Sequence, residues 1–96
     1  MEAMPPLADA EVTAALEALT GWERDGDEIV KTFEFATFAD AISFVVRVGF
    51  LAESADHHPD IDIRWRNVRI ALTTHSANGL TNLDLDLATE IEAIGT

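Results

Sequence analysis

Apolar residues recur along the chain with two different periods. Val12, Ala15, Leu16 and Leu19 share one face at helical spacing while Asp9, Glu11 and Glu17 fall mostly elsewhere on the turn. This predicts a first helix from about Asp9 to Thr20, ended by Gly21. Two short runs, Trp22 to Arg24 and Ile29 to Phe35, flank Asp25-Gly26 and Asp27. An Asp-Gly turn favours a hairpin because its backbone needs positive φ, and Ile29, Phe33 and Phe35 would share the buried face. Helical spacing returns from Thr37 to Asp56, with Phe38, Ala41, Ile42, Val45, Gly49 and Ala52 on one side. Pro59, which has no N–H to donate and restricts its predecessor, is expected to stop this longest helix. Ile61, Ile63 and Trp65 then alternate with Asp60, Asp62, Arg64 and Arg66, the period of a half-buried strand. Asn67 is a plausible turn, and Val68, Ile70, Leu72 and Thr74 carry a second alternation. After Gly79, Thr81 and Asp84 have capping-box spacing, Leu80 and Leu85 could form the hydrophobic staple, and a last helix runs to about Ile94.

The predicted order is α-β-β-α-β-β-α without repeat or internal linker, which implies an α+β fold: a four-stranded antiparallel sheet with helices packed on one face. Residues 1–8 are expected as a flexible leader and 9–96 as a single domain. In the long helix Phe44, Val46, Phe50 and Leu51 widen the apolar arc until Asp40, Ser43, Arg47 and Ser54 form a narrow polar stripe. One free surface would need a broader stripe, so a second buried face is expected, most simply a subunit interface.

Composition narrows the functions. The 96 residues (10.5 kDa) are 48% hydrophobic and 25% charged, an ordinary globular mixture for one domain. Eighteen Asp and Glu against six Lys and Arg leave a net charge of −12 and a pI near 4.3. Such a field repels phosphate backbones and anionic lipid, so neither nucleic acid nor a membrane surface is an expected partner. The absence of cysteine rules out disulfides, a thiolate nucleophile and Cys-based zinc sites. Met1 to Pro6 lacks the basic start and apolar core of a secretory signal, and the apolar stretch Ala39 to Ala52 is interrupted by Arg47. A cytoplasmic protein is expected.

All three histidines sit at element boundaries, His57-His58 at the end of the long helix and His75 at the end of the last strand. Loops held by such ends are where sites are usually built. Taken alone, the His57-His58 pair reads as a helix-end feature meeting terminal carbonyls, Asp84 as a helix cap, Glu53 as a solvated carboxylate and Trp22 as core. A three-histidine zinc site is a sharper reading. Adjacent histidines diverge on a helix or a strand, which places metal binding below acid-base work.

Glu53, three residues, His57-His58-Pro59, five residues, Trp65, nine residues, His75, eight residues and Asp84 together resemble the signature of the pterin-4a-carbinolamine dehydratases. The likeness extends to Gly21-Trp22, to the phenylalanines of the hairpin and long helix, and to Thr74-His75 followed by Gly79-Leu80-Thr81. The resemblance implies a hydro-lyase that dehydrates 4a-hydroxytetrahydropterin, left by an aromatic amino acid hydroxylase, to quinonoid dihydropterin, recycling the tetrahydropterin cofactor. It implies His57 and His75 for proton transfer and His58 for binding and orienting the ring. Glu53, Trp22 and Asp84 match positions near the substrate, and no metal or redox cofactor is implied. Histidine can serve as acid or base at neutral pH, and the sequence leaves open which imidazole does which. Glu53 precedes His57 by the i, i+4 spacing of neighbouring helix positions, so it could orient His57 or bond the pterin, and Asp84 could support a histidine from behind.

The broad apolar arc of the long helix leads to the expectation of a homodimer or homotetramer through the helical faces. A different class of function, a non-catalytic protein-binding or assembly module, is known on the same scaffold. Such relatives often lack part of the histidine set, whereas all three histidines, Glu53 and Asp84 are present here.

Overall fold

The computed structural model describes residues 4–95. Its elements are α1 (Asp9–Glu17), β1 (Glu23–Asp25), β2 (Glu28–Glu34), α2 (Phe38–Ala55), β3 (Asp60–Arg64), β4 (Asn67–Leu72) and α3 (Asn82–Gly95), with a single 3-10 turn at His75–Ala77. The strands form one antiparallel sheet in the order β1-β2-β4-β3. The α+β architecture, the element order and the helices on one face of the sheet agree with the sequence pattern.

Local chemistry explains most boundaries. α1 stops at Glu17, three residues before the expected end, because the chain tightens into short-range bonds from Ala18 to Ala15 and from Leu19 to Leu16. Gly21 then turns it with φ +88°, a region glycine enters at no steric cost. α2 begins where the Thr37 hydroxyl accepts the Asp40 N–H at 3.0 Å. It ends before Pro59, at Asp56, whose left-handed φ of +50° lets the Asp56 and His57 N–H groups return to the carbonyls of Glu53 and Ala52. The β3–β4 turn is Trp65-Arg66, with Trp65 at φ +54°, and Asn67 is the first residue of β4 rather than the turn.

The register places Ile29 and Phe33 opposite Leu72 and Val68, on the face that α2 and α3 cover. With Phe44, Val48, Leu87 and Ile91 from the helices, these side chains make one core, extended by Val12, Leu19 and Trp22. Phe44 is tilted against both Phe33 and Phe35 with ring centroids within 5 Å; burying such a side chain is worth about 1.5–3 kcal/mol. The opposite sheet face is polar, carrying Thr32, Glu34, Asp60, Asp62, Arg64 and Arg69.

Two pattern-based expectations shift. α2 buries Ala41 and Ala52 of the expected stripe together with Phe44 and Val48, while Phe38 at its start is 52% exposed. α3 packs on α2, and Arg47 donates to the Ile94 carbonyl at 3.2 Å. Ile61 and Ile63 of β3 and Trp65 of the following turn are exposed, because β3 is an edge strand at the margin of the helical layer. Of the expected leader, residues 1–3 lie outside the described residues; Leu7 is half-buried against the core and donates its N–H to the Leu80 carbonyl at 2.7 Å. Residue 96 also lies outside the described residues.

Candidate functional site

The end of α2, the loop after β4 and the start of α3 meet around one cavity. The left-handed Asp56 swings the chain inward, so the His57 ring enters the protein and is only 9% exposed. There Nε2 lies 2.6 Å from Oδ1 of Asp84, in the first turn of α3 and completely buried. Oδ2 of Asp84 accepts the Thr81 N–H at 3.0 Å and the Thr74 hydroxyl at 2.8 Å. The Thr81 hydroxyl accepts the Leu83 N–H at 3.2 Å, so the capping exchange expected from the Thr81/Asp84 spacing is present. Helix cap and histidine partner are therefore roles of the same carboxyl group, served by different oxygens.

The loop following β4 folds back on itself. Thr74 and Gly79 form an isolated antiparallel bridge, and the 3-10 turn between them exposes His75. Asn78 closes the turn with φ +54°. Pro6 packs against Gly79 so closely that a methyl group there would sit 3.1 Å from the proline Cβ. A cavity of about 350 Å³ results, lined by Asp56, His57, His58, Thr73, Thr74, His75, Ser76 and Leu83. On the far side of His75 lies a second hollow of about 250 Å³, which shares Thr73 and His75 and adds Asp27, Glu28, Asn78 and Gly79.

The fold thus brings His57, His58 and His75 to one cavity, with Asp84 behind His57. It does not join Glu53 to His57. Because α2 ends at Ala55 and Asp56 reverses the turn, the i, i+4 geometry is lost, and Glu53 instead meets His58, Oε1 to Nε2 at 2.6 Å, on an exposed surface. The two adjacent imidazoles diverge, one to the buried Asp84 and one to the surface Glu53. Among the described residues no three His, Cys, Asp or Glu side chains are grouped to hold a metal ion. Trp22 is not brought to the cavity. It is buried edge-on to Phe33 and its indole N–H donates to Glu92 at 2.9 Å.

Thr73, Ser76 and Leu83 line the cavity without having been singled out in the sequence. Thr74 and Thr81 were legible as a strand end and a cap, but their hydroxyls lie 2.8 Å apart only because the Thr74–Gly79 bridge closes the intervening loop.

The family model described as pterin 4 alpha carbinolamine dehydratase matches residues 5–94. A protein of Roseiflexus sp. (strain RS-1) bearing that family's name is 61% identical over 88 residues, which cover 92% of this chain and 95% of the relative. One from Chloroflexus aurantiacus (strain ATCC 29366 / DSM 635 / J-10-fl) is 53% identical, covering 95% and 98%. Among solved structures, the transcriptional coactivator/pterin dehydratase from Brucella melitensis superposes with a TM-score of 0.92 at 35% identity, over 95% of this chain and 99% of that one. A pterin dehydratase-like RuBisCO assembly factor of the alpha-carboxysome shares the fold at TM-score 0.65 and 21% identity, over 77% and 86%. Likeness of this extent, from residue 5 to residue 94 and with more than half the positions identical in the two relatives named, makes the chain a member of the pterin 4 alpha carbinolamine dehydratase family.

Proposed function

We propose that the chain catalyses dehydration of 4a-hydroxytetrahydropterin to quinonoid dihydropterin and water. The observation that carries this reading is the convergence of His57 and His75, from separate elements, on one cavity in a chain of this family. In the reaction the C4a–O bond breaks and the oxygen leaves as water after accepting a proton. N5 loses its proton and a C4a=N5 double bond forms. An acid at the oxygen and a base at the nitrogen suffice, and each well-placed imidazole contributes about 10²–10⁴ in rate. His57 and His75 are assigned to proton transfer and His58, on the cavity rim, to binding the ring. Glu53 acts by holding His58 and Asp84 by holding His57. The cavity volume suits a small heterocycle.

The substrate would come from an aromatic amino acid hydroxylase in the cytoplasm, and the product would re-enter the tetrahydropterin pool. Self-association as a homodimer or homotetramer is part of the reading. It is supported by the exposed Phe38, Val46 and Phe50 on α2 and by Ile61 and Ile63 on the edge strand. The same surface supports a second reading, a protein-binding role for this scaffold.

The test follows the absorbance decay of 4a-hydroxytetrahydropterin generated in situ by a hydroxylase, with wild type, His57→Ala and His75→Ala. Acceleration by wild type over the spontaneous rate, largely lost in both folded variants, is expected. A folded wild type that does not accelerate the decay would move the function to protein binding.

A further inference from the structure

Three groups meet the two oxygens of Asp84: the Thr81 N–H and the Thr74 hydroxyl donate to Oδ2, and Nε2 of the His57 ring lies 2.6 Å from Oδ1. Two donors on Oδ2 suit an ionised carboxylate, which has no proton of its own and so requires one on the facing ring nitrogen. Thr74 has a single hydroxyl hydrogen, which points to Asp84, so toward Thr81 it is the acceptor and the Thr81 hydroxyl is the donor. The hydroxyl chain therefore runs in one direction, from Thr81 through Thr74 to Asp84. Every atom of it belongs to a buried residue, with Thr74 5%, Thr81 1% and Asp84 0% exposed. Among the described residues no buried side-chain nitrogen or oxygen lacks a partner, and the hydrogen bond of the His57 ring is made by Nε2. Nδ1 is the ring nitrogen left open, and His57 lines the cavity.

We infer that Thr74 and Thr81 are positioning residues: their hydroxyl chain anchors Asp84 so that neutral His57 is held with its proton on Nε2 and its Nδ1 lone pair toward the cavity. In that state His57 can only accept a proton from a bound molecule, at Nδ1. The second hydrogen bond to Oδ2 matters because it stops the carboxylate from rotating away from the ring. The consequence for turnover rests on the dehydratase reading, whereas the tautomer does not.

The test uses protein labelled with ¹⁵N at histidine, in wild type and in Thr74→Val, Thr81→Val and Thr74→Ser, with folding checked by circular dichroism. Ring ¹⁵N shifts distinguish a protonated from a bare nitrogen. Wild-type His57 is expected to carry its proton on Nε2 alone. Thr74→Val and Thr81→Val should show both tautomers, with kcat reduced about tenfold at little-changed KM. Thr74→Ser, which keeps the hydroxyl, should restore both. A wild-type His57 protonated on Nδ1 overturns the inference on its own, even if neither valine variant folds. A single unchanged tautomer in the valine variants, or a mixed one with unaltered kcat, overturns the positioning role. If wild type proves inactive, the dehydratase reading fails while the ring spectra still decide the tautomer.

Discussion

Asp84 illustrates how one side chain combines stability and chemistry. Its complete burial is tolerated because both oxygens are engaged, by a backbone N–H, a hydroxyl and an imidazole. Asp84→Ala removes all three acceptor contacts and leaves the His57 ring nitrogen and the Thr81 N–H without a partner. Urea unfolding should register a loss of about 2–4 kcal/mol, and a loss below about 1 kcal/mol would show that water or a shifted side chain replaces the carboxylate. The Glu53–His58 pair has the same 2.6 Å separation but stands in solvent, with side chains 79% and 56% exposed. Glu53→Ala should therefore change stability by less than about 1 kcal/mol, with even that difference shrinking as salt is raised. A larger, salt-insensitive loss would mean that Glu53 makes a buried contact.

At the level of elements, α2 is the part on which the site depends most. Its start is fixed by the Thr37 hydroxyl and its end by the left-handed Asp56, and the position of that end decides that His57 turns inward and His58 outward. Thr37→Ala deletes the cap, and thermal or urea unfolding should show a destabilisation of about 1 kcal/mol. Activity per folded molecule should be retained, since Thr37 lies at the opposite end of the helix from the histidines; a selective loss of activity would mean that the N-terminal turn communicates with the cavity. Gly21 is constrained in a different way. Its φ of +88° disfavours any side chain there, although the nearest neighbour of a prospective Cβ is only the flexible end of Lys31. The element boundaries were largely legible, because caps, the Asp-Gly turn signal and apolar periods are local properties. The early end of α1 and the Trp65-Arg66 turn were not, because both were settled by how the following segment docks.

At the scale of the whole molecule, the isolated chain leaves an apolar flank uncovered. Phe50 is 72% exposed, Val46 53% and Phe38 52%, and on the edge strand Ile61 and Ile63 are open on the same side as Ile70 and Val68. Sedimentation at micromolar concentrations should show a dimer or tetramer, and Phe50→Asp should shift it toward monomer while leaving the circular dichroism unchanged. A wild type that sediments as a strict monomer would remove self-association from the proposal. The net charge of −12 opposes association at low salt, so the oligomer should tighten as ionic strength rises.

By itself the sequence determined the α+β class, the order of the seven elements, the family resemblance and the three histidines at element ends. These follow from periodicity, turn chemistry and residue spacing, all of which act along the chain. Only the tertiary structure decided which partner each side chain found. Glu53 and His57 are one helical turn apart in number, yet a single left-handed residue between them sends His57 to Asp84, twenty-seven positions away, and gives Glu53 to His58. Trp22 belongs to the core because Glu92 and Phe33 arrive from elsewhere in the chain to receive it. The Thr81–Thr74–Asp84 chain exists because a bridged loop and a helix start are packed together. Contacts of this kind depend on packing in three dimensions, which no local pattern encodes.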